Sequence, residues 1–115
     1  MASRQIPRTE LKEFFDQFNR IMPAELVEIE VAGLDLGDQI AAEWVALSSI
    51  TYDPKDSIVL VDLDDGKLQH TIQSPADVVV EAEGEAIQSI SIKCGQGHVH
   101  LLRLKEPRAL PSPAA

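Results

Sequence analysis

The residues with the most chemical potential lie in one short run, Cys94-Gly95-Gln96-Gly97-His98-Val99-His100. If 95–97 form a three-residue hairpin loop, Cys94 and His98 stand directly opposite on paired strands, and side chains so placed share a face. His100 falls two residues further along, on that same face and opposite Ile92. A thiolate and two imidazoles gathered this way could hold zinc, or Cys94 could act as a nucleophile with His98 as its base. Ile90, Ile92, Leu102 and Leu104 share the face, however, which marks it as core-facing. A cysteine in such company is commonly a small buried hydrophobe. No third group is placed to orient the histidine, and no oxyanion donor is evident. Cys94 is therefore expected to be structural, with Cys94, His98 and His100 as candidate metal ligands and no cofactor.

Three further residues could make a contact. His70 lies between Leu68 and Ile72 on an inward face, where a backbone or carboxylate partner is the default and a ligand contact the alternative. Trp44 and Tyr52 are the large aromatics outside the first helical segment, and either could anchor an interface. The parity of Trp44 with Ile40 and Ala46 places it in the core, whereas Tyr52, beside a Pro-Lys turn, stays open. Asp62, Asp64, Asp65 and Gly66 resemble the start of a calcium loop, but its twelfth position would be Gln73 rather than glutamate. Asp-Asp-Gly is read instead as a hairpin turn.

The elements that must position these residues follow from periodicity. Leu11, Phe14, Phe15, Phe18, Ile21 and Met22 recur at helical spacing, with Thr9 as N-cap and Pro23 as the stop. A helix so short is marginal alone, and its phenylalanine face must dock on something. From Val27 the period becomes two: Val27, Ile29 and Val31 alternate with Glu28 and Glu30. Further strands are expected over 40–52, 58–63, 67–73, 78–83, 87–94 and 98–104, joined by short turns that favour antiparallel pairing. The fold class is α+β: one N-terminal amphipathic helix packed on a twisted, barrel-like antiparallel sheet of about seven strands. Residues 4–104 form a single domain, and 105–115, rich in proline and alanine, read as a disordered tail.

Composition limits the function. A chain of 115 residues, 44% hydrophobic and 25% charged, has room for one core. Its net charge of −9 is concentrated: residues 24–104 hold fifteen acids against Lys55, Lys67, Lys93 and Arg103, while the helix and tail are close to neutral. Such a sheet repels phosphates and anionic lipids, so neither nucleic acid nor membrane is expected as a partner. No apolar run is long enough to span a bilayer, the start does not read as a secretory signal, and the lone cysteine suits a cytoplasmic protein.

The stretches Ile6-Pro7-Arg8, Leu26-Val27, Asp35-Leu36-Gly37, Ile50-Thr51-Tyr52-Asp53-Pro54-Lys55-Asp56, His70-Thr71-Ile72 with Pro75, and Leu101-Leu102-Arg103 resemble a family of small bacterial proteins with a domain of unknown function. The resemblance spans about residues 4–104 and departs from the family pattern at Glu25, where an aromatic is common. It implies no activity and no functional residue. The residues themselves favour a non-enzymatic binding or protein-interaction domain acting through an acidic sheet surface or an open strand edge, on a protein partner or as a homodimer. The alternative is a small-ligand or metal-binding domain using His70, Cys94, His98 and His100 near one end of the sheet.

Overall fold

The computed structural model describes residues 2–21, 25–33, 37–83 and 86–109. In chain order these form β1 (Ala2–Ile6), a 3-10 turn (Arg8–Glu10), α1 (Leu11–Ile21), β2 (Glu25–Gly33), β3 (Gly37–Asp53), β4 (Ile58–Leu63), β5 (Leu68–Gln73), β6 (Asp77–Glu83), β7 (Ala86–Lys93) and β8 (Val99–Ala109). The strands make one antiparallel sheet in the order β1-β6-β7-β8-β2-β3-β4-β5. The sheet is therefore eight-stranded and open, with β1 and β5 as its edges, rather than seven-stranded and closing toward a barrel. The extra strand is β1, which pairs with β6 from Ala2↔Ala82 to Ile6↔Val78. Its five residues carry no alternation long enough to announce a strand.

The sheet coils about β3. Over its first part this 17-residue strand pairs with β2, and over its second with β4. Extra residues let it turn. Val27 faces Val45 and Ile29 faces Ala42, so Glu28 alone opposes Glu43 and Trp44; Ile29↔Ala42 is followed by Glu30↔Ile40, which leaves Ala41 over. A third irregularity lies between Leu47↔Leu63 and Ser49↔Asp62. Bulges bend and twist a strand. They also reset its parity, so the expected face of Ile40, Ala42, Trp44 and Ala46 does not exist. Ala42 is buried, whereas Ile40 is 52% and Trp44 38% exposed. Trp44 is not a core residue.

Inside the coil lie Val27, Ile29, Ile50, Val59, Val61, Ile72, Val78, Val80, Ile90, Ile92 and Leu102, closed over by Leu11, Phe14, Phe15 and Phe18 of α1. The helical run begins at Arg8, with Pro7 ahead of it and no side-chain cap, so Thr9 is inside the run rather than its N-cap. Residues 22–24, including the expected stop at Pro23, lie outside the described residues. At the other end β8 continues to Ala109, where Ala86↔Ala109 and Ile87↔Arg108 pair, so part of the expected tail, 105–109, is strand. Residues 110–115 lie outside the described residues.

One side chain ties helix to sheet. Past Leu47, β2 no longer flanks β3, and the backbone of Ile50 would be left unpaired on that side. The Asn19 amide fills the gap: Nδ2 donates to the Ile50 carbonyl at 2.8 Å, and the Ile50 N–H donates to Oδ1 at 2.8 Å. Asn19→Ala removes both bonds and is expected to cost about 1–3 kcal/mol, since buried backbone groups lose their partner. Gln17→Ala, at an exposed position of the same helix, should cost under about 0.5 kcal/mol. Urea unfolding of the two variants measures the difference.

Candidate functional site

The β7–β8 hairpin forms as its glycines demand. Cys94 N–H donates to the His98 carbonyl at 2.9 Å, Gly97 N–H donates to the Cys94 carbonyl at 3.0 Å, and Gly97 takes φ 85°. Cys94 and His98 are thus opposite, and His100 opposes Ile92. The link 74–76 carries the chain from β5 to β6 past this hairpin. Ala76 N–H donates to the Lys93 carbonyl at 2.7 Å and Gly95 N–H to the Gln73 carbonyl at 3.3 Å. A Cβ on Gly95 would stand 2.9 Å from the Ser74 Cβ, so this position requires glycine for the close approach of the two segments.

That approach brings β5 over β8, although β2, β3 and β4 separate them in the sheet. Nε2 of His70 lies 2.8 Å from Nδ1 of His100, with ring centroids 5.0 Å apart. One ring must donate and the other accept, so the accepting ring is neutral. Burial lowers the pKa of His70 below the usual 6.5. His100 falls to about 4, through burial and then repulsion from His70 and His98. Of the four residues proposed to meet at one end of the sheet, His70 and His100 touch and His98 is within electrostatic reach. Cys94 is buried and makes no disulfide. Among the described residues no group of three or more His, Cys, Asp or Glu side chains is placed to hold a metal ion, so the metal-binding alternative is not supported. Ile72, Ile92 and Leu102, which share the inward parity of the histidines, are buried. Tyr52 is also buried, paired across from Val59, and is unavailable as an interface anchor.

The outer sheet face differs. Among the described residues, α1 packs on β3 from the inside, and no element packs on the outside. A cross-strand row runs Val79, Ser91, Leu101, Glu30, Ile40. The next runs Glu81, Ser89, Arg103, Glu28 and then the bulge of Glu43 and Trp44. Arg103 spans two carboxylates, with Nη1 2.8 Å from Glu28 and Nη2 3.1 Å from Glu30. Sequence reasoning missed this clamp because Arg103 and the glutamates are far apart in the chain, though their alternation on outward faces was visible. It also missed the bulge, for which the adjacent alanines at 41 and 42 offered only a faint signal.

Trp44 stands out further by its backbone. Of the described non-glycine residues with positive φ, Ser57, Asp64, Asp65 and Ser74 are small and polar, whereas Trp44, at φ 49°, is a large aromatic. The left-handed region costs an L-residue about 1–2 kcal/mol, and such strain concentrates where a side chain must be presented.

Among the described residues these features define a class: a small α+β domain of one coiled antiparallel sheet, with one helix on its inner face and no element on its outer face. Residues 2–113 match the model of a family of unknown function, DUF5335, and the chain belongs to that family. It is 32% identical over 111 residues to an uncharacterized protein of the bacterium Aquifex aeolicus (strain VF5), covering 96% of this chain and 99% of the relative. No solved structure matches. No helix among the described residues is long and apolar enough to cross a membrane.

Because both folded-state histidine pKa values lie below 6.5, the unfolded chain takes up protons first as pH falls. The pair's contribution is full above 6.5 and is lost as pH falls toward about 4. Urea midpoints should drop as the buffer goes from about pH 7 to about pH 5, a range in which most carboxylates stay ionised. The double variant His70→Phe/His100→Leu should abolish the drop. Native Cys94 should react slowly with a thiol reagent at neutral pH and fully in denaturant, as its 6% exposure dictates.

Proposed function

We propose that this protein is a non-enzymatic protein-interaction domain whose outer sheet face receives a basic, partly apolar segment of another protein. The observation that carries this reading is Trp44, a strained, exposed aromatic next to exposed Ile40 and beside Glu28, Glu30 and Glu43. An aromatic anchor ringed by polar groups is the usual make-up of an interaction hot spot. Arg103 offsets only part of the local acidity, so a Lys- or Arg-bearing partner is electrostatically favoured. The chain's net charge of −9 disfavours nucleic acid and anionic lipid. A single cysteine without a disulfide accords with a reducing, cytoplasmic setting.

Trp44 is the chain's one tryptophan, so its emission reads the face directly. Titration with a cationic amphipathic peptide of alternating Arg and Leu should blue-shift that emission, and an acidic counterpart should not. The affinity should fall as salt rises from about 0.05 M to about 0.5 M, because exposed charges are screened. An unchanged spectrum with both peptides refutes the reading. Trp44→Gly should relieve the backbone strain and leave stability within about 1 kcal/mol of the parent. Followed by calorimetry, the same variant should bind the cationic peptide at least about tenfold more weakly.

A further inference from the structure

The second open feature is the edge strand β5, and it is independent of the outer-face reading. Ser74 N–H donates to the Ser57 carbonyl at 2.8 Å, which sets the phase of the β4–β5 ladder. Bonding alternates along an antiparallel pair. Residues 68, 70 and 72 therefore spend their backbone groups on β4, and 69, 71 and 73 turn theirs to the open edge. The Gln73 carbonyl does face outward, since it accepts from Gly95 N–H at 3.3 Å. Gln69 and Thr71 remain, each with an N–H and a C=O toward solvent and each with an exposed side chain.

Open edges are normally protected by charge, proline or a covering element. β5, Leu-Gln-His-Thr-Ile-Gln, is the one strand of the eight with no charged residue, in a chain of net charge −9. Two copies of so acidic a protein repel almost everywhere else. The outward carboxylate of β4, Asp62, already accepts from the Gln69 side-chain amide at 2.9 Å. Leu68, on the inner face of the strand, is 50% exposed for want of a neighbour.

We propose that the chain self-associates by antiparallel pairing of β5 with β5 of a second copy, about a two-fold axis at His70. In that register Gln69 of each copy faces Thr71 of the other, and both residues exchange their N–H and C=O groups. Leu68 of each copy comes beside Ile72 of the other, which covers the exposed leucine. Pairing covers 68–72 of each copy and stops short of Gln73, whose edge carbonyl already accepts from Gly95 N–H, so no charged residues face one another. The interface is isologous, as a closed dimer requires, and it makes the two sheets continuous.

Analytical ultracentrifugation of the full chain from about 1 μM to about 1 mM should show a monomer–dimer equilibrium. Thr71→Pro deletes an outward N–H without touching the β4 ladder, a substitution that edge strands tolerate. It should weaken the dimer at least about tenfold while cationic-peptide binding at Trp44 persists, so the two proposals fail separately. Hydrogen exchange of the parent supplies a second readout: the Gln69 and Thr71 amides should gain protection as concentration rises. A chain that stays monomeric throughout, a Thr71→Pro dimer of unchanged strength, or amides at 69 and 71 that exchange alike at both concentrations would each overturn the proposal.

Discussion

The rest of the structure depends on one strand changing partners. β3 leaves β2 near Leu47 and continues along β4, and its bulges supply the turn. Without that turn the strands would form a flat sheet with one apolar face too broad for an 11-residue helix to cover. With it, the inner face closes largely on itself, and α1 needs only to plug what is left with three phenylalanines. The change of partner also strips Ile50 of its neighbour, and Asn19 takes that place. Helix docking and sheet coiling are thus one event, joined at a single backbone position.

Coiling has a polar consequence inside. It carries β5 across to β8 and presses His70 against His100 at a place where neither ring can be cheaply charged. Two neutral imidazoles satisfy one another there, which is how a largely aliphatic core admits them. A layout that suggests metal chemistry in the chain is, in three dimensions, a packed hydrogen-bonded pair. Glycine at 95 permits it, because there the β7–β8 hairpin and the link after β5 approach too closely for a Cβ.

Outside, the same bends leave a face that no other described element covers and two edge strands, β1 and β5, each paired on one side only. Glu28, Glu30, Glu43 and Glu81 stand on this convex side, and the Arg103 clamp holds two of them in place. Trp44 is pushed outward by the bulge that bends β3, so the residue best suited to contact a partner is a by-product of the fold's central constraint. Its strained φ is offset by the burial that the bend makes possible elsewhere.

The helix, the core faces of β2 and β5, the existence of β4 and the hairpins at 64–66 and 95–97 were legible in the chain. Each rests on local chemistry: helical spacing of phenylalanines, two-residue alternation, and glycines or aspartates at positive φ. The shared face of Cys94, His98 and His100 was legible for the same reason, since a tight hairpin sets its own register. β1, the route from β5 to β6, the fate of Trp44 and the contact of His70 with His100 were not. They depend on bulges that reset strand parity and on pairings between distant segments, whose energies arise only once the sheet has coiled. The amino-acid sequence by itself thus determined the helix, the strands after it, the acidity and the family. Tertiary structure alone decided which way Trp44 points, what the histidines touch and which strand is left open.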